Sequence, residues 1–158
     1  MESVYIETSV VSYLVARPSR EPVTAWRQQL TNEWWVERRG LFVCVISQEV
    51  IAEALEGDAS MAAKRMEALR DLPLIAGGSE SATLAADLLA HGIFPANARA
   101  DANHLAVATC AAVDYLLTWN YRHLANAQVL RRLENFLGAR TASAEGLHAG
   151  RTYGNIKP

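Results

Sequence analysis

The sequence predicts an α/β domain: a small parallel sheet flanked by helices in a three-layer α/β/α arrangement. Strand-length apolar runs at residues 4–7, 41–46 and 115–118 alternate with helical stretches along the whole chain. No two of those runs are joined by a hairpin-type turn, so the strands must be linked by crossovers and lie parallel. The first run, Val4-Tyr5-Ile6, is apolar up to the glutamate that closes it and reads as a buried strand.

Thr8 and Ser9 follow that strand and can cap a helix over residues 10–16. Pro18 and Pro22 bracket a loop before a long helix over residues 23–38, with Trp26, Leu30 and Trp34 four apart on one face. These tryptophans are expected as core or dimer anchors. The strand at 41–46 leads to Ser47, a good N-cap for a helix to Leu55, which Gly57-Asp58 ends. A helix over 59–70, a short strand over 73–76 and the break Gly77-Gly78-Ser79 come next. Helices over 80–90, from about Asp101, and over 126–136 complete the regular part, with the strand 115–118 between the last two. Residues 1–140 form the expected domain, and the Gly-, Ala- and polar-rich residues 141–158 a weakly ordered tail.

With 158 residues, about half of them apolar, the chain can fold around one core unaided. A formal charge of -2 excludes a whole-molecule field suited to high-affinity nucleic-acid reading, but constrains a transiently binding enzyme little. Lys64 and Lys157 are the only lysines. The arginine bias suits bidentate phosphate contacts, although a GC-rich genome gives the same bias. Cys44 and Cys110 sit in apolar strings far from any zinc-spaced partner, so both are expected as buried thiols. No secretory leader and no apolar run of membrane length is evident, which predicts a cytoplasmic protein without a membrane partner.

Carboxylates at strand ends are costly unless a cation meets them. Glu7 ends the first strand, where sites form in parallel sheets. Among Glu49, Glu53 and Glu56, Glu53 borders the apolar stripe Val50-Ile51-Ala54-Leu55 and can face a cleft, or simply be solvated. Asp101 occupies the first turn of its helix, where either a cap or a site role is open. Three residues on, beside Asn103, His104 reads as a core, surface or substrate-contacting residue, with a metal role disfavoured among oxygen donors. Asp114 lies at the opposite end of its strand and reads as a turn or cap residue; Asn120, after Thr118, ends that strand on the site side. Three carboxylates and an amide make a hard oxygen set suited to Mg²⁺ or Mn²⁺ acting on phosphates. Neither a Gly-rich phosphate loop with its Lys, nor a zinc-protease His pair, nor a serine-hydrolase elbow is present.

Taken together, Tyr5-Ile-Glu7-Thr-Ser9 with Val-Val-Ser-Tyr-Leu, Ser47-x-x-Val-x-x-Glu53, Asp101-x-x-His104-x-Ala-x-Ala, and Asp114-Tyr-Leu-Leu-Thr118-Trp-Asn120 with Arg122-His123-Leu124 resemble the PIN-domain family. More narrowly they resemble the VapC-type toxins of bacterial toxin–antitoxin pairs. The likeness runs in order from Val4 to about Leu137, with a looser echo at Ser143-Ala-Glu-Gly-Leu147. It implies a PIN-like fold, Mg²⁺-dependent hydrolysis of RNA, a homodimer and a cognate antitoxin. By position it places the family's acids on Glu7, Glu53 and Asp101 as metal ligands, and its fourth on Asn120. The family's first acid is usually Asp, so Glu7 is one methylene longer, and Asn120 keeps an oxygen but loses a charge.

The leading expectation is therefore a metal-dependent ribonuclease, with Glu7, Glu53, Asp101 and Asn120 as its catalytic set. Thr8, Ser9, Thr118 and Arg122 are the expected substrate or water contacts, with Arg99 and His123 as further backbone contacts. The alternatives are a catalytically impaired PIN-like module that acts by binding RNA or a protein partner, and a small phosphatase or phosphotransfer domain.

Overall fold

β1 (Ser3–Ile6) runs through the middle of a three-stranded parallel sheet of order β2-β1-β3. β2 is Val43–Val45 and β3 is Tyr115–Leu117. Val4 pairs with Cys44 on one side and Tyr115 on the other, and Ile6 with Leu117. The computed structural model describes residues 1–141, with side chains as far as Gly138. The tail expected over 141–158, including the segment 143–147, lies outside the described residues except for Thr141, which ends the last helix.

Seven α-helices surround the sheet among the described residues: α1 (Thr8–Val15), α2 (Pro22–Glu33), α3 (Gln48–Ala54), α4 (Ala59–Leu69), α5 (Ser79–Ala90), α6 (Arg99–Cys110) and α7 (Ala127–Thr141). α1 packs with α2, α3 and α4, whereas α5 pairs with α6. The result is a three-layer α/β/α fold. Its core joins Tyr5 and Ile6 of β1, Val10 of α1, Leu88 of α5, Leu105 of α6 and Leu116 of β3, all buried. Burial of such side chains stabilises by roughly 1.5–3 kcal/mol each.

Local chemistry sets the helix ends. Glu21 precedes Pro22 and accepts from the amides of Val23 (3.0 Å) and Thr24 (2.6 Å), so α2 starts one residue before its expected position. Gly57, at φ 80°, makes the left-handed turn after α3, and Asp58 caps α4 through the Met61 amide at 2.9 Å. At the far end of the sheet, Asp114 accepts from the Ser3 amide (2.7 Å) and hydroxyl (2.8 Å), tying β1 to β3. These bonds hold its carboxyl below the usual range.

Several elements differ from the sequence expectation. The long second helix stops being α at Glu33; a π turn, Trp34–Arg38, and a 3-10 turn, Arg39–Leu41, follow, and β2 begins only at Val43. The wider turn lets Trp34 stack on Phe42 at 6.2 Å while Trp26 stays 47% exposed. The strand expected at 73–76 reduces to one parallel bridge, Ile46 with Leu74. Pro73 lacks the N–H a ladder needs, and Gly77-Gly78 ends the run. Cys44 is buried as expected, but Cys110, in the last turn of α6, is exposed.

Candidate metal centre

Parallel strands present all their carboxyl ends at one edge. There Glu7 follows β1, Ser47 follows β2 and Thr118 follows β3. The Glu7 amide continues the ladder by donating to the Leu117 carbonyl at 3.0 Å, which sets Glu7 beside Thr118.

Glu7 is the N-cap of α1 and is buried, with 6% exposure. Its Oε1 accepts from the Ser9 amide at 3.1 Å. Its Oε2 accepts from the hydroxyls of Ser9 and, at 2.7 Å, Thr118. Ser9 Oγ in turn accepts from the Trp119 amide at 2.8 Å, and Thr118 Oγ1 from the Asn120 amide at 2.9 Å. The capping role assigned to Thr8 and Ser9 thus belongs to Glu7, and the hydroxyls hold carboxylates instead. Thr8 Oγ1 donates to Glu53 Oε2. Thr8 and Thr118 are buried and engaged in this way, so neither presents a free surface to a substrate.

Glu53 comes from α3 and is the glutamate of that helix that faces the site. Its Oε2 also meets His104 Nε2 at 3.0 Å, and one oxygen each from Glu7 and Glu53 lies within 4.8 Å of a His104 ring nitrogen. His104 is 1% exposed, and its Nδ1 is 2.7 Å from the Tyr5 hydroxyl, which is 2.6 Å from Ser47 Oγ. Ser47 stands at the N-cap of α3 as expected, but its hydroxyl bonds Tyr5 rather than an amide of the helix. Burial disfavours a charged His104, but the hydrogen bond and charge of Glu53, reinforced by Glu7 and Asp101, outweigh it and raise its pKa. Burial likewise works against ionised Glu53, and the His104 and Thr8 bonds prevail to lower its pKa. Burial pushes the Tyr5 phenol well above its usual range, helped by the charges of Glu49, Glu7 and Glu53.

Asp101 stands one turn before His104 on α6. Its Oδ1 accepts from Asn120 Nδ2 at 2.8 Å, and its Oδ2 meets His123 Nδ1 at 2.7 Å. The helix-cap reading does not describe it, because its carboxylate bonds side chains beyond β3 rather than the amides of α6. Arg122 is exposed and its guanidinium makes no hydrogen bond or ion pair among the described residues.

Sequence reasoning underrated two residues. His104 was discounted beside oxygen donors, yet its place one helical turn from Asp101 is the signal that brings it here. Glu49, one turn before Glu53 on α3, also bears on this network: its charge reaches Tyr5, and its buried Oε2 has no hydrogen-bond partner among the described residues.

The groups that lie within 4.8 Å of one another are Glu7, Glu53 and His104; Asp101, one turn before His104 on α6, is not among them, so the three expected acids are brought together only in part. Two carboxylates with oxygen to spare suit a hard divalent cation. A carboxylate offers about four lone-pair positions, and the bonds above leave acceptor capacity on Glu7, Glu53 and Asp101. Among the described residues Glu53 Oε1 accepts no hydrogen bond, and the side chain is 29% exposed. No protein-family model matches this chain, and no curated protein matches it. Among the described residues, no helix is long and apolar enough to cross a membrane.

Proposed function

We propose that the protein is a Mg²⁺- or Mn²⁺-dependent ribonuclease, the toxin of a type II toxin–antitoxin pair, inhibited by a cognate antitoxin and working as a homodimer. The observation that supports the nuclease reading most is the gathering of buried Glu7 with Glu53 at one sheet edge, with Asp101 one helical turn from His104. The sequence resemblance adds the RNA substrate and the antitoxin.

In this reading Glu7, Glu53 and Asp101 would hold the ion, which supplies charge neutralisation for a phosphodiester and a more acidic water. Ser9 and Thr118 fix the Glu7 carboxylate, and Thr8 with His104 fixes Glu53. Asn120 and His123 fix Asp101, so each acid keeps one orientation without rearrangement as substrate binds. His104, whose pKa Glu53 raises, offsets the mutual repulsion of the acids in its protonated form when no cation is bound.

A second reading has a specific motive: Asn120 turns its amide toward Asp101 where a fourth acid would stand. That favours a module that binds RNA or a protein partner with little catalysis. Incubation with single-stranded RNA, and separately with small phosphate esters, under Mg²⁺, Mn²⁺ and EDTA decides between them. Metal-dependent cleavage of RNA alone is expected; binding without cleavage would favour the second reading.

A further inference from the structure

Directly after Thr118, the chain places two aromatic residues on either side of Asn120: Trp119, 4% exposed, and Tyr121, 39% exposed. Trp119 is pinned at both ends. Its indole Nε1 donates to Thr31 Oγ1 at 2.7 Å, and its amide donates to Ser9 Oγ in the Glu7 network. Around it gather Tyr13 at 5.8 Å, Trp26 at 6.1 Å and Tyr121 at 6.1 Å between ring centroids. Trp26, 47% exposed, and Tyr121 each keep part of their surface open to solvent.

Arg27 lies inside this group. Its guanidinium carbon is 5.7 Å from the Trp119 ring centroid and 5.2 Å from that of Tyr121. Nη1 donates to the Tyr13 hydroxyl at 3.2 Å, while Nε is buried and has no hydrogen-bond partner among the described residues. Among the described residues no carboxylate forms an ion pair with Arg27. Stacking on rings offsets part of its desolvation, but leaves guanidinium donors unused. A half-buried cation beside exposed rings is matched by one ligand chemistry in particular, an anionic backbone carrying flat bases. Single-stranded nucleic acid is bound in that way, by stacking on aromatic faces with arginine on the phosphates.

We infer that Trp26, Arg27 and Tyr121 form a nucleotide subsite that stacks an unpaired base of a single-stranded RNA and holds a neighbouring phosphate, leading the strand to the acidic centre. This rests on the ribonuclease reading for its substrate. Tyr121 adjoins Asn120, which holds Asp101, so the strand need travel only a short way between stacking and acidic residues. The subsite also explains how a chain of net charge -2 can take RNA: one positioned arginine and flat rings substitute for a basic field.

The test is binding of a short labelled single-stranded RNA, and of the same strand made abasic, to the full protein in EDTA, followed by steady-state cleavage in Mg²⁺. Trp26→Ala and Tyr121→Ala each alter an exposed side chain and should weaken RNA binding about 5- to 100-fold, with little effect on the abasic strand. Arg27→Gln should lower the slope of log affinity against log salt by about 0.7, a change that loss of packing alone would not produce. In cleavage, the two ring variants should raise KM and leave kcat within about two-fold. Binding lost in these variants without any cleavage by the wild type would retain the subsite and refute the ribonuclease. Cleavage with KM, abasic preference and salt slope unchanged would overturn the subsite and leave the ribonuclease standing. Equal affinity for duplex RNA, or ring variants that lose only a protein partner, would also overturn it.

Discussion

Asn120 Nδ2 donates to Asp101 Oδ1 at 2.8 Å, while Asn120 Oδ1 accepts from the His123 amide at 3.1 Å. The second bond fixes the first: a backbone N–H can meet only the oxygen end of an amide, so nitrogen must face Asp101. Asn120 therefore presents its nitrogen, not its oxygen, to Asp101. It holds Asp101, with His123 on the other carboxylate oxygen. Asn120→Asp would place a carboxylate against Asp101, and mutual repulsion would raise one of the two pKa values. It should strengthen Mn²⁺ binding by titration and destabilise the metal-free protein, lowering its Tm in EDTA; an unchanged Tm would contradict the contact.

Ser9 bonds Glu7 twice and also accepts from the Trp119 amide. Ser9→Ala should weaken Mn²⁺ binding by roughly 10–100-fold, the range seen when a partner that orients a ligand is lost. Ser9→Thr, which keeps the hydroxyl, should recover most of it. Equal losses in both variants would show that packing, not the hydroxyl, matters.

Tyr5 links Ser47 and His104 inside the core. Removing its hydroxyl in Tyr5→Phe leaves two buried polar atoms short of a partner, which costs about 1–3 kcal/mol. Urea unfolding with an unchanged m-value should show that loss; a variant as stable as wild type would refute the network.

The His104–Glu53 pair gives stability a pH dependence. His104 titrates above its ordinary 6.5, so its contribution is full below that value and lost as pH rises through the raised one. Glu53 titrates below its ordinary 4.5, so its contribution is full above that value and lost as pH falls through the lowered one. In EDTA the Tm gap between wild type and His104→Gln should be widest between pH 4.5 and 6.5 and shrink toward alkaline pH. A gap that stays constant with pH would contradict the ion pair.

The sheet was legible because Val4-Tyr5-Ile6 is uniformly apolar and ends on an acid, a combination with few structural uses. Glu7 and Glu53 were legible for the same reason, each lying where apolar pattern meets a strand or stripe edge. The π turn at Trp34–Arg38 was not, since Trp26, Leu30 and Trp34 keep α spacing up to its first residue and only packing against Phe42 reveals the wider turn. Ser47 is the N-cap of α3 as expected, but its hydroxyl, like that of Thr8, serves a side-chain network instead of the helix amides; both uses need the same group, and spacing cannot say which partner prevails. His104 was ambiguous because a buried imidazole takes its role from a glutamate 51 positions earlier in the chain.

On the proposed function, Glu7, Glu53 and Asp101 act as one cation-dependent nuclease centre. Cleavage of a mixed-sequence single-stranded RNA by wild type and by Asp101→Asn, under Mg²⁺, Mn²⁺ and EDTA, tests it most directly. Cleavage should require the metal and fall at least about 100-fold in the variant, beyond the range for loss of an orienting partner, while its circular dichroism stays that of wild type. Cleavage that persists in EDTA or in Asp101→Asn, or its complete absence from the folded wild type under either metal, would contradict it.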